Sequence, residues 1–272
     1  MPPPRYKNNI ASGIYYFREG LNLLWKPELR LYLLVPLLVN CVLFLVLTWG
    51  LVHYFGTIVD SIMEILPGFL APLEWIVWTV MGIFMLIIYG YSFNMITNII
   101  AAPFYGLLAA KSETLLTGIA PPEESTGTMI RRTLFRECEK LWYFLKRGVL
   151  VILIMILVGS LTSWIPLLNL VSPLIGLAWG AWSMAIQYAD YSADNHQLEF
   201  KPLRQCLWKK KYSSLGFGGF IMLCSLIPVI NIIAMPVAVV GGTLFWLREL
   251  KHCPEGVCPA QTVRSNYPPP FN

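Results

Sequence analysis

Charge is scarce in this sequence, and positive charge is missing altogether from one long part of it. Only 13% of the 272 residues are Asp, Glu, Lys or Arg, against 56% that are hydrophobic. A soluble domain of this length needs far more polar surface. With a mean hydropathy of +0.60, the composition is that of a polytopic membrane protein, with lipid as its first partner. Residues 31–110 hold no Lys or Arg. Ordered disulfide spacing is also lacking. Cys41, Cys138, Cys206, Cys224, Cys253 and Cys258 are scattered, two of them within apolar runs, which excludes a disulfide framework. His252, Cys253 and Cys258 are an incomplete ligand set, so no metal site is expected, only reduced thiols in a cytosolic tail. The first twenty residues have no long apolar core and no small-residue cleavage site, and no cleaved signal peptide is expected. There is no nucleophile elbow, phosphate-cradling glycine loop or nucleotide-binding motif. No catalytic residue and no cofactor are assigned, and an enzyme is not expected. The net charge of +5 follows topology rather than forming a nucleic-acid patch.

What is present is organised around residues 89–110, the end of a charge-free run that begins at Trp75. This run exceeds the roughly 20 residues of one bilayer crossing. It carries Tyr91, Ser92, Asn94, Thr97 and Asn98, then Pro103 and Gly106. Amides and hydroxyls in a membrane helix are costly unless they face protein or a water-filled path. Two readings stand: hydrogen bonds to neighbouring helices, or a face lining a conduction path for a polar solute.

Before that run, residues 12–25 place Ile14, Tyr15, Phe17, Leu21, Leu24 and Trp25 at helical spacing, which predicts a helix lying at the membrane surface. Pro27 suits a first helical turn, whose free N–H groups make a ready anion site beside Glu28, Leu29 and Arg30. Residues 31–59 and 73–113 read as two long transmembrane helices, with a Pro- and Gly-containing turn over 60–74. Residues 129–147 carry Arg131, Arg132, Arg136, Lys140, Lys146 and Arg147 and read as an amphipathic helix at a membrane face.

Two further apolar blocks, 148–189 and 212–247, share wording at their middles. One reads Ile165-Pro166-Leu167-Leu168-Asn169, the other Ile227-Pro228-Val229-Ile230-Asn231. Pro stops the first helix of each block and Asn is suited to cap the second, so each block is a helical hairpin. The turns carry no polar loop. Either both hairpins enter the membrane and turn back, or each is a pair of short spanning helices. Gly216, Gly218 and Gly219 suit close helix packing. Lys and Arg fall in 1–30, 111–147, 190–211 and the tail, which places both termini in the cytoplasm and the 60–74 loop outside. The expectation is an all-α integral membrane protein, 1–250 as one membrane domain and 251–272 as a disordered cytoplasmic tail.

Four stretches together resemble the CysZ family of bacterial inner-membrane sulfate permeases. They are Pro27-Glu28-Leu29-Arg30 with LYLLVPLLVN, then GYSFNMITNIIAAPFYGLLA, AIQYADYSADNHQLEFKPLR and IPVINIIAMPVAVVGG, in order across most of residues 12–247. The resemblance implies proton-dependent sulfate uptake feeding cysteine biosynthesis. It also implies two long transmembrane helices, two hemi-penetrating hairpins and a homo-oligomer, and it favours the partial depth. The family's anion motif is Gly-hydrophobic-Arg-Arg at the start of the first long helix. Here the step reads Glu28-Leu29-Arg30-Leu31, so one arginine matches, the second is Leu31, and an acid that repels sulfate stands in place of the glycine.

Sulfate offers four acceptor oxygens and two negative charges, so its path needs donors that hold it loosely. Arg30 supplies a forked set, unless it is a membrane-interface anchor. Asn94 and Asn98 share a helix face with support from Ser92 and Thr97; Asn40, Asn169 and Asn231 are candidates from other elements. Asp190, Asp194 and His196 form a polar cluster that reads as helix-ending turn chemistry or as a gate or proton-coupling element, with Glu113 a further proton carrier. A passive anion channel and a scaffold that transports nothing are the alternatives.

Overall fold

A computed structural model describes residues 8–65, 74–122 and 124–251, and every regular element among them is helical. The chain divides into two compact units, Leu34–Ala101 and the remainder, Met1–Leu33 with Ala102–Asn272. Helices α2 (Pro27–Ile65) and α3 (Glu74–Thr117) contribute residues to both.

Within Leu34–Ala101 the two helices run antiparallel. Phe44 meets Phe93, the Thr48 hydroxyl lies 2.7 Å from that of Tyr89, and Phe55 meets Trp78. Outward-facing side chains such as Leu38, Trp49, Val52, Phe84 and Leu86 are more than half exposed. Helices that are apolar all round and uncovered belong in hydrocarbon.

The other unit is a bundle of α1 (Ile10–Leu24), α4 (Thr126–Thr162), α5 (Pro166–Asn169), α6 (Val171–Asn195), α7 (Phe200–Lys209), α8 (Lys211–Ser225) and α9 (Pro228–Phe245). A π-helical turn, Trp246–Leu250, follows. Helix α1 packs on α8 and α9, and α6 packs on α4, α8 and α9. Glycine sets these approaches. A Cβ on Gly13 would lie 2.2 Å from the Ser213 carbonyl oxygen, and one on Gly218 only 1.8 Å from that of Ala181. Close packing was expected of Gly216 and Gly218, and both are at backbone contacts. Gly219 is not, since its added Cβ would meet only the Ala181 side chain at 3.7 Å.

Helix α1 forms where the apolar spacing predicted a helix. It turns Gly13, Tyr16, Phe17, Gly20 and Leu24 inward and leaves Ile14, Leu21 and Trp25 exposed. A count of apolar side chains overlooks the two glycines, which share a face at i and i+7 and admit α8 and α9 to the backbone.

Helix α4 differs from the sequence reading, for the basic segment and the first hairpin arm are one uninterrupted helix. Gly148 does not break it, because an isolated glycine costs a helix only about 1 kcal/mol. Its start is capped by Ser125, whose side chain accepts from the Thr128 N–H at 3.3 Å. Both hairpins are present as helix–turn–helix units, but Asn169 and Asn231 cap neither. Asn169 ends α5 and Asn231 lies within the first turn of α9. Pro166 and Pro228 open α5 and α9 behind Ile165 and Ile227, neither of which makes a side-chain cap. A proline at that position loses no helical hydrogen bond, so it suffices alone.

Four described helices are long and apolar enough to cross a membrane, Leu38–Glu64, Trp78–Thr117, Thr126–Thr162 and Ile233–Leu250. In the last, 78% of the most apolar window is buried inside the protein, against 6% or less in the other three. The sequence expectation named two such crossings. The turn was expected over 60–74, but α2 continues to Ile65 and α3 already begins at Glu74. Residues 60–66 hold no proline or glycine that would stop the helix. Residues 66–73, the expected tail beyond 251 with Cys253 and Cys258, and the side chains of Leu31 and Asn94 lie outside the described residues.

Candidate functional site

Polar chemistry in the bundle concentrates where α4 faces the end of α6. Arg132, Arg136 and Lys140 follow one another at four-residue spacing on α4, and Asp190 and Asp194 do the same on α6. Four residues bring a helix back to nearly the same face, so the two rows oppose. Arg132 meets the Asp194 carboxylate and backbone carbonyl, and also Glu124 at 3.0 Å. Arg136 donates through Nε and Nη2 to Asp190 Oδ1 at 2.9 and 2.7 Å, and through Nη2 to the Leu198 carbonyl. Lys140 lies 3.2 Å from Asp190 Oδ2, pairs with Glu137, and sits 4.6 Å from the centre of the Tyr191 ring.

Lys140, Glu137 and Asp190 are at most 2% exposed, so these charges persist only because they are matched. Burial by itself would raise the Asp190 carboxyl, but Lys140 and Arg136 outweigh it and hold the group below its ordinary value. Asp194 goes the other way: burial pushes it up, and Arg132 draws it back only in part. A cavity of about 870 Å³ opens beside this row, walled by Arg131, Arg132, Arg136, Glu124, Asp194 and Leu198 among others.

A second group forms where α6 ends. His196 is the C-cap of α6, and Gln197 follows with φ 55°, which turns the chain so that the Leu198 N–H bonds the Ala193 carbonyl at 3.0 Å. The His196 Nε2 thereby lies 2.9 Å from both carboxylate oxygens of the buried Glu113 on α3. Lys251 approaches the same carboxylate at 3.5 Å, and the imidazole stacks on Trp246 at 5.6 Å. Asn195 donates to the Gly106 carbonyl at 2.8 Å, tying the same two helices together.

The expected gate residues are therefore split. Glu113 and His196 touch each other, whereas Asp190 and Asp194 belong to the arginine–lysine row. Arg30 stands apart from both, exposed, donating to the Trp25 carbonyl at 3.3 Å. Beside it Glu28 is exposed and Leu29 fully buried. The Leu29 N–H bonds the Lys26 carbonyl at 3.0 Å, so that backbone donor, expected to face an anion, is already occupied. Among the path candidates, Asn40 Oδ1, Thr97 Oγ1 and Asn231 Oδ1 are buried atoms with no hydrogen-bond partner. Ser92 and Asn98 are half-buried and Asn169 is exposed.

Sequence reasoning did not single out Arg132, Arg136, Glu137, Lys140 or Glu249 as site residues. The signal for the three cations was available: they stand four apart on one helix, opposite acids four apart on another. Glu249 carried no such signal. The π-helical turn buries it, and it accepts from Tyr16 at 2.7 Å and Ser213 at 3.2 Å.

Residues 16–236 match the family model described as Sulfate transporter CysZ/Etoposide-induced protein 2.4. A protein of Pseudomonas fluorescens strain Pf0-1 named Sulfate transporter CysZ is 43% identical, over 92% of this chain and 96% of its own length. A second P. fluorescens protein of that name, from strain SBW25, is 41% identical over 97% of this chain and 99% of its own. One from Salmonella typhimurium strain LT2 is 36% identical over 87% and 92%.

Proposed function

The chain belongs to the Sulfate transporter CysZ/Etoposide-induced protein 2.4 family, and from that premise we propose that it carries sulfate across the bacterial inner membrane. The observation that carries the reading is the end-to-end likeness to proteins named as sulfate transporters. Uptake is proton-dependent and supplies sulfur for cysteine biosynthesis, both termini are cytoplasmic, and the working form is a homo-oligomer.

Sulfate is held on the cytoplasmic side at Arg30, whose forked donors face solvent at the start of α2. Glu28 weakens this site by repulsion, which suits a solute that must be released. Within residues 34–101, the unpartnered oxygens of Asn40 and Thr97 support a polar lining, since buried polar atoms ordinarily find partners. Ser92 and Asn98 belong to that lining, and Asn94 is assigned to it from its sequence position alone; in the other unit Asn169 and Asn231 are candidates by themselves. Glu113 and His196 form the proton-linked gate, a carboxylate and an imidazole in direct contact. Asp190 and Asp194 hold the frame on which that gate is built.

The hairpins enter the membrane and turn back. For the second hairpin the support is helix α8, whose 15 residues give about 22 Å at 1.5 Å per residue, short of the roughly 30 Å hydrocarbon core.

Equilibrium binding of labelled sulfate to the purified protein tests the Arg30 site. Arg30→Ala is expected to weaken it by about ten- to a hundredfold, the range of a hydrogen bond to a charged group. Unchanged affinity would remove Arg30 from the path.

A further inference from the structure

Where α7 gives way to α8 the chain reads Trp208-Lys209-Lys210-Lys211-Tyr212, a run for which the sulfate path has no use. The backbone breaks at Lys210, with φ −106° and ψ 35°, so the last turn of α7 and the first of α8 present their side chains together. Asn8 fixes this corner. Its Nδ2 donates to the Lys209 carbonyl, and its Oδ1 accepts from the N–H groups of Tyr212 and Ser213, all at 3.1 Å.

The inner faces of both helices are buried through Leu203, Leu207, Ser213 and Phe217, yet Trp208 is 64% exposed and Tyr212 50%. The Lys211 ammonium lies between their rings, 5.8 Å from the centre of one and 5.2 Å from the other. Trp182 meets Trp208 edge-on at 5.7 Å and supports it. Lys210 turns inward to Glu249 at 3.4 Å. Among the described residues, Lys209 and Lys211 meet no carboxylate, and no further charged residue follows until Arg248.

Water would solvate the two ammonium groups but not the indole and phenol rings; hydrocarbon would accept the rings but not the charges. Only the headgroup layer satisfies both, with phosphates for the lysines and the glycerol level for the rings. We propose that this corner is a binding site for the headgroup of an anionic phospholipid, held by Lys209 and Lys211 and flanked by Trp208 and Tyr212. An acidic soluble protein would match the lysines, but it would not account for the charge-free hairpin that starts at the same point. The inference rests on α8 and α9 entering the membrane, and not on sulfate being the solute.

The test uses the full chain in nanodiscs, with quenching of Trp208 by spin-labelled phosphatidylglycerol or phosphatidylcholine read as the difference between wild type and Trp208→Phe. The expected result is a preference for phosphatidylglycerol of about fivefold for each lysine, lost in the Lys209→Gln/Lys211→Gln double variant. Equal quenching by both lipids in wild type, or a preference that survives in the double variant, would overturn the site. A preference abolished by inorganic phosphate would make it a small-anion site and overturn the lipid assignment. Quenching by neither lipid would place Trp208 outside the membrane and overturn the proposal together with the hairpin reading. Sulfate uptake by the double variant in phosphatidylcholine vesicles is expected to match wild type, which separates failure of this site from failure of transport.

Discussion

Arg136 and Asp190 meet across α4 and α6, with two guanidinium nitrogens on one carboxylate oxygen and Lys140 on the other. One acid thus answers two cations, and its loss leaves Lys140 with Glu137 alone and Arg136 with only the exposed Glu139 at 3.9 Å. Asp190→Asn is expected to destabilise the bundle by about 3–5 kcal/mol, the usual cost of breaking a buried pair from one side. Thermal unfolding in detergent reads this directly; an unchanged melting temperature would contradict the account of the row.

Asp190 and Asp194 are predicted to respond oppositely to pH. Asp190 is held below its unfolded value, so its contribution is complete above the ordinary aspartate range and is lost as pH falls through the lowered native value. Asp194 is raised, so the folded state binds its proton more tightly. Its contribution is present at low pH and is lost as pH rises through the raised native value. Stability measured against pH for Asp194→Asn should lack that decline while keeping the acid-side loss. A profile identical to wild type would mean that burial does not control Asp194.

The bundle also depends on absent side chains. Gly218→Val puts atoms where the Ala181 carbonyl already lies and should cost at least the roughly 1–3 kcal/mol of overpacking. Gly127→Ala, with open space around it, should cost little. Equal stability of the two variants would show that the α6–α8 crossing is looser than described.

How far the sequence reveals this protein depends on the kind of interaction involved. Long apolar runs without Lys or Arg disclose α2 and α3, and the repeated Ile-Pro steps disclose both hairpins, because helix length and proline act locally. The inward face of α1 was not legible, because it is set by Gly13 and Gly20 against helices some two hundred residues away. Nor was the continuity of α4 past Gly148, since a change in surface chemistry reads as a boundary although no backbone signal ends the helix. The Glu113–His196 contact joins residues 83 apart in the chain; the sequence offered both as proton carriers but could not pair them. The pairing of Asp190 and Asp194 with Arg132 and Arg136 was written in matched four-residue spacings and went unread.

In the proposed gate, Gln can replace His196 and keep one hydrogen bond to Glu113, but its amide cannot take up or release a proton. The His196→Gln protein should fold normally and transport with a flattened pH dependence. A pH profile superimposable on wild type would remove this contact from proton coupling and leave it a link between α3 and α6.

The central claim is that this chain alone passes sulfate. Labelled sulfate uptake into proteoliposomes containing only this protein, with and without an inward proton gradient, tests it most directly. The account predicts protein-dependent uptake that rises with the gradient and falls in Arg30→Ala. No uptake above empty vesicles, with the protein folded and inserted, would contradict it.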